Sequence, residues 1–275
     1  MCMWEKTLGP NHILIASSLN NLAILHAQLG QYAEAESLCR RALGIRENLF
    51  GADHLSITNE LSNLIVLCQN QGKFEDVVTA YRRALQIYSK QHEPPSPVIR
   101  KAKNDLASVL LKLENITEAE SLLKAVLTPD QYNHSSLQQQ RNHQENNSLS
   151  HSESVDQDPI AIHSLSQLSI SDREVDTGSV SPCNGDSTKP PSRMNSSGQQ
   201  VVEPLWVIVE QYVKDTDSIN PQFSLVTWAS EAKIELSIVH NAVQNLSIVY
   251  QRQGFHSHAS LLQEWLHEDG ITETN

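Results

Sequence analysis

The side chains in this 275-residue sequence that could do chemistry are twelve histidines, four cysteines and a recurring asparagine. The histidines are scattered. His256 and His258 stand two apart, which points them to different faces of a helix, whereas a metal site needs three or four ligands at fixed geometry. His12 and His54 close two Gly-x-x-His tetrads and read as turn residues that fix the entry of the next helix. Cys2, Cys39, Cys68 and Cys183 form neither a C-x-x-C pair nor a dense framework, so the chain suits a reducing compartment without disulfides. Cys39 and Cys68 read as small apolar packing residues. There is no G-x-S-x-G, no phosphate-cradling glycine loop and no H-E-x-x-H. The expectation is therefore a protein with no catalytic residues, no metal and no cofactor.

The asparagine recurs with a period. Asn21, Asn63 and Asp105 stand 42 residues apart, each followed by a leucine, Leu22, Leu64 and Leu106. Gly30 and Gly72 fall eight residues after the first two leucines, and Ala42-Leu43, Ala84-Leu85 and Val126-Leu127 close the units. Self-similarity at this period predicts stacked helical hairpins, because one hairpin cannot bury its apolar face alone. Apolar residues at helical spacing place helices over 13–29 and 32–48, then 56–71 and 74–90, with Glu93-Pro94-Pro95-Ser96-Pro97 breaking the chain before a third unit over 98–127. There Glu114 stands where the glycine was, so a looser turn is expected. A fourth unit is predicted over 235–251 and 257–266. Leu205, Trp206, Val209 and Trp228 before it are expected to form a connecting helix and packing ledge joining it to the third, with the tryptophans in the core. The fold class expected is all-α, a superhelical solenoid of hairpins.

Charge divides the chain. Residues 1–127 hold 13 Lys and Arg against 13 Asp and Glu, and the remainder holds 7 against 19, which accounts for the net charge of −12. Nothing resembles the basic stripe through which proteins neutralise phosphates, so nucleic acid is not expected as a partner. No run is long and apolar enough to span a bilayer, and the start lacks a basic and apolar leader, so no membrane insertion is expected and a cytoplasmic location is. Serine, asparagine and glutamine dominate 129–203, offering too little apolar area to offset the entropy of ordering. The expected organisation is three hairpins over 1–127, a disordered acidic linker over 128–203, a connecting helix and fourth hairpin over 204–268, and a flexible tail over 269–275. Within the linker, His163 to Ile170 is either a short partner motif or an incidental apolar cluster.

Leu19-Asn20-Asn21-Leu22-Ala23, Ala35-Glu36-Ser37-Leu38-Cys39-Arg40-Arg41-Ala42-Leu43 and Leu67-Cys68-Gln69-Asn70-Gln71-Gly72-Lys73 resemble the tetratricopeptide array of kinesin light chains. Arg82-Arg83-Ala84-Leu85-Gln86-Ile87-Tyr88 and Asn104-Asp105-Leu106-Ala107-Ser108 continue the resemblance, which covers 6–127 closely and 203–266 more weakly. The Gly-x-x-His tetrads at Gly9 to His12 and Gly51 to His54 make it more specific than a generic repeat pattern.

The resemblance implies a non-catalytic cargo adaptor of the microtubule motor kinesin, cytoplasmic and cytoskeletal, whose concave groove holds short peptides with a tryptophan flanked by acidic residues. The family's groove asparagines map onto Asn21, Asn63 and Asn245, where an amide that both donates and accepts could clamp a peptide backbone. Arg46 matches an arginine used toward acidic side chains, for which bidentate contact suits a carboxylate. Asn59 stands where the family commonly has a lysine. Lys101 is kept, but Asp105 follows four residues later, close enough to pair with it. The heptads that hold the kinesin heavy chain are not found, since no window shows an apolar a/d seam. Met1 to Lys6 reads like the end of an earlier repeat, so a truncated form or fragment is expected. The alternative function is a motor-independent scaffold that binds other partners through the groove or the acidic linker.

Overall fold

The computed structural model describes residues 7, 9–92, 96–129, 192–194, 200–214 and 223–268. The described residues fall into two compact units with the break between His92 and Ser96. Ten helices and two short strands are found among them: α1 Ile13–Gln28, α2 Tyr32–Phe50, α3 Ile57–Asn70 and α4 Phe74–Gln91 in the first unit. The second unit has α5 Pro97–Lys112, α6 Ile116–Val126, β1 Ser192–Met194, β2 Gln200–Val202, α7 Leu205–Lys214, α8 Leu225–Ala232, α9 Leu236–Gln253 and α10 His256–Glu268. The fold is all-α and built from helical hairpins, as the 42-residue period predicts.

In the first unit the buried residues of α1, Ile15, Ala16, Leu19, Ala23 and Ala27, share one face at helical spacing. Ile15, Ala16 and Leu19 meet Ala42 and Ile45 of α2, while Ala23 and Ala27 join Ala35, Cys39, Leu64 and Leu67 in a second cluster that ties the first hairpin to α3. The alanines let the helix backbones approach closely. Cys39 and Cys68 are both buried free thiols, as expected of packing residues, and burial pushes the Cys39 thiol up to about 12. His12 caps α1, its Nδ1 accepting from the Leu14 amide at 3.2 Å, and His54 Nδ1 likewise takes the Ser56 amide at 3.1 Å. His12 is thus the N-cap of α1, whereas His54 fixes the turn that leads into α3, whose N-cap is Ser56.

Each hairpin turns through one left-handed residue. Gly30 and Gly72 have φ of 75° and 72°, and the next residue's amide reaches back to the helix, Gln31 to the His26 carbonyl and Lys73 to the Cys68 carbonyl, both at 2.9 Å. The looser third turn expected from Glu114 is not found. Glu114 takes φ of 59° and Asn115 bonds the Leu110 carbonyl at 2.9 Å, so the turn is kept and a non-glycine residue bears the conformation. What is reduced is the second helix, α6, which has 11 residues against 19 in α2 and 18 in α4.

In the second unit α9 packs against both α5 and α6, so the hairpin after the insertion sits on the one before it. The Arg252 guanidinium donates to the Leu111 carbonyl and the Gln253 amide to Glu120, both at 2.6 Å. Leu205 and Val209 are buried in α7, Leu205 N–H reaches the Leu127 carbonyl, and the Trp228 indole donates to the Glu203 carbonyl at 3.0 Å. The expected ledge is present, with Trp228 fully buried and Trp206 partly so under Lys124. Residues 192–194 and 200–202 depart from the expected disordered linker. β1 pairs antiparallel with β2, and Val201 and Val202 are buried, giving this end of the stretch the apolar area that the rest of its composition lacks. Residues 130–191, including His163 to Ile170, and the tail from 269 lie outside the described residues.

Candidate interaction surface

Burial on one side of each helix leaves the other side to solvent. On α1 the solvent side is Leu14, Ser18, Asn21, Leu25 and Gln28, which share one face at 100° per residue. On α3 the solvent row is Asn59, Ser62, Val66 and Asn70, which is in register with Ser17, Asn20, Ile24 and Gln28 of α1 rather than with Asn21. Asn21 is exposed in the middle of its row, and Asn59 is partly exposed on α3.

Asn63 lies elsewhere. It is buried, and its Nδ2 donates to Asn20 Oδ1 at 2.7 Å, joining α3 to α1 side by side. The Cys39 thiol reaches the same Asn20 oxygen at 3.7 Å. In the second unit Asn245 does the same, its Nδ2 donating to Asn104 Oδ1 at 3.4 Å. Asn20 and Asn104 are two periods apart in sequence, so they occupy one repeat position and could have been found by extending the register of Asn21 back one residue.

Arg46 is not free for a carboxylate ligand. Its Nε lies 2.6 Å from Glu60 Oε1, and the Glu60 side chain is only 1% exposed. The pair is ionic rather than an aligned hydrogen bond, since Arg46 Nε and both Glu60 oxygens have no hydrogen-bond partner. Burial pushes the Glu60 carboxyl up, and the Arg46 charge opposes it. The sequence singled out the cation and missed its partner, 14 residues on in the next hairpin.

In the second unit Lys101 is exposed on α5 and Asp105 is half-buried one turn later. They share a face but do not close into an ion pair. Burial lifts the Asp105 carboxyl to about 6, and the Lys101 charge only partly opposes this. Lys103 is half-buried and held below the usual lysine range by burial and by Arg100. Lys112 is also exposed on α5, so this helix carries positive charge where α1 and α3 present none.

On the second helices, Glu36 gathers a network that the sequence analysis did not anticipate. Its carboxylate accepts from Lys73 at 2.6 Å, Arg40 at 2.7 Å and Gln71 at 2.9 Å. Burial alone would raise this carboxyl, but those three hydrogen bonds outweigh it and hold the group at about 2. Glu36, Cys68 and Asp76 also offer ligand atoms within 4.8 Å of one another. Two cations already engage that carboxylate, so the cluster is better suited to fixing the junction of two hairpins than to holding a metal.

Residues 15–56 match the family model of the tetratricopeptide repeat. No curated protein matches the chain. Among solved structures, it is similar to BtubC (BKLC) from P. vanneervenii, with TM-score 0.41 and 20% identity over 56% of this chain and 59% of that one, less than two thirds of its length. It is also similar to a putative kinesin light chain of Podosopora anserina with nearly identical TPR-like repeats, with TM-score 0.39 and 17% identity over 94% of this chain and 96% of that one. Tetratricopeptide repeats are protein-interaction modules and typically non-catalytic, and a protein-interaction scaffold is the function class that this fold supports.

Proposed function

We propose that the chain is a peptide-binding adaptor of the kinesin light chain kind, cytoplasmic and microtubule-associated, which holds short segments of cargo proteins on the solvent faces of the first helices of its hairpins. The observation that carries this reading is the solvent row on α3, where Asn59 and Asn70 present amides beside the partly exposed Val66 while the opposite face is buried. Such rows match what a short extended peptide lacks, namely partners for its backbone N–H and C=O groups. Peptides with a tryptophan flanked by acidic residues have their attractive charge on α5, where Lys101 is exposed.

Titration of a labelled tryptophan-acidic peptide against the whole chain and against Lys101→Ala tests the reading. Saturable binding that weakens in the variant and in salt is the expected result, and no binding by a chain with native helicity would overturn it. Co-purification with kinesin heavy chain tests the motor link separately. A motor-independent scaffold is the second reading, favoured by the ionic contact of Arg46 with Glu60, which neutralises a cation that acidic cargo would use.

A further inference from the structure

The first helices of the second unit gather positive charge. Together α5 and α9 hold Arg100, Lys101, Lys103, Lys112 and Arg252 against the single acid Asp105, in a chain whose net charge is −12. Two bonds clasp these helices side by side, Asn245 to Asn104 and the Arg252 guanidinium to the Leu111 carbonyl. Asn245 makes the bond that Asn63 makes in the first unit, so the two share a repeat position. The register that puts Asn59, Ser62, Val66 and Asn70 in the solvent row of α3 therefore puts Lys101, Asn104, Ser108 and Lys112 in that of α5. On α9 it puts Asn241, Gln244, Ile248 and Arg252 there, and the two rows flank one seam. Exposure agrees with the register. Lys101, Lys112, Asn241, Gln244 and Arg252 are exposed, Ser108 and Ile248 partly so, and Asn104 is buried at its bond to Asn245. Asp105 shares the repeat position of Asn245, which places it on the flank of α5 turned away from α9. Arg100 is spent on the Val126 and Thr128 carbonyls and Lys103 is half-buried, so the cations that face solvent along the seam are Lys101, Lys112 and Arg252.

Resting on the reading above, we infer that this seam binds an extended segment of a partner protein that carries two acidic side chains about five residues apart. One carboxylate is set on Lys101, and the other on Arg252 beside Lys112. Lys101 and Lys112 stand eleven residues apart on one helix. That is about 16 Å along the axis at roughly 1.5 Å per residue, a span an extended peptide covers in about five residues at roughly 3.3 Å each. Arg252 uses one nitrogen on the Leu111 carbonyl, which leaves the rest of its fork for a carboxylate. Between the two ends Ile248 offers aliphatic contact, and the Asn241 and Gln244 amides supply donors and acceptors for the peptide backbone. An exposed ion pair is worth little alone. A ligand whose acids match the span engages both ends in one binding event, whereas adjacent acids reach only one, so spacing rather than net charge makes the choice.

The test uses the full chain and two fluorescein-labelled decapeptides of serine and glutamine around a central leucine. One has aspartates at its second and seventh positions, the other at its second and third, so net charge is equal. The expected result is saturable binding of the spaced probe, about tenfold tighter than the adjacent one at 50 mM salt, with the advantage falling to about twofold or less at 500 mM. Lys101→Glu and Arg252→Gln should each abolish the advantage with circular dichroism unchanged. Replacing one or the other aspartate of the spaced probe by lysine should restore its binding to Lys101→Glu, a rescue that a merely structural role of Lys101 would not give. Equal affinity for the two spacings, or an advantage that neither substitution moves, would overturn the inference and leave the adaptor reading standing if the tryptophan-acidic peptide still binds. Failure of every probe, that peptide included, would remove both. Binding of the spaced probe only to a chain lacking residues 153–158, which carry acids at this same spacing in Glu153 and Asp158, would assign the seam to the chain itself and overturn the partner.

Discussion

Asn63 Nδ2 donates to Asn20 Oδ1 at 2.7 Å, and Asn245 Nδ2 donates to Asn104 Oδ1 at 3.4 Å. In both units the repeat asparagine of one hairpin bonds the residue one position earlier in the repeat of the hairpin before it. The amide that the sequence marks for peptide recognition therefore also clasps neighbouring first helices. It fixes the register of one first helix on the next.

Asn63→Ala should destabilise the chain by about 1–2 kcal/mol, the usual cost of leaving a buried amide partner unsatisfied. Urea denaturation followed by circular dichroism measures it. Unchanged stability with lost peptide binding would instead make Asn63 a ligand contact alone.

The Arg46 and Glu60 pair gives a second, larger effect. Arg46→Met leaves a carboxylate that is 1% exposed without its counter-charge, at a cost of about 3–5 kcal/mol. Arg46→Met combined with Glu60→Leu should recover most of that loss, because it removes the stranded charge rather than one partner. A double-mutant cycle in urea decides, and additive costs would show that the two charges do not act together.

Much of the fold was legible because its determinants are local. Helical spacing of Leu19, Leu22, Ala23 and their repeats fixed the helices, and glycine at 30 and 72 fixed the turns. The site was less legible because direction around a helix depends on the neighbours. Asn21 and Asn63 share a repeat position, yet one faces solvent and the other a preceding hairpin. Nor does sequence alone reveal that Arg46 spends its charge on a residue of the next hairpin. Glu114 shows the opposite failure: the hairpin imposes a left-handed residue where local preference argues against one.

Glu114→Gly should accordingly stabilise the second unit by about 1 kcal/mol, the relief of a side chain in the left-handed region. The gain is reduced by the extra freedom that glycine gives the unfolded chain. Thermal denaturation should show a higher Tm for the variant. Gly30→Ala, at φ of 75° with open space around its added methyl, should show the reverse through backbone strain alone.

Glu36 and Asp105 make the acid side of the stability curve bend twice. For Glu36 the folded value of about 2 lies below the unfolded value of about 4.3, so its contribution is complete above the unfolded value and is lost as pH falls toward 2. That loss is on the order of 2 kcal/mol after allowing for half-exposed partners. For Asp105 the folded value of about 6 lies above the unfolded value of about 3.9, so ionisation opposes folding above pH 6 and the penalty lifts as pH falls toward 4. Asp105→Asn should therefore stabilise the chain at pH 7, on the order of 1 kcal/mol given partial solvent screening, and leave it unchanged near pH 4. Glu36→Gln should lower stability at pH 7 and flatten the decline below pH 4. Urea midpoints measured across pH for the chain and these two variants separate the contributions. A decline below pH 4 that survives Glu36→Gln would mean that the Lys73, Arg40 and Gln71 network is not what holds the junction of the first two hairpins at neutral pH.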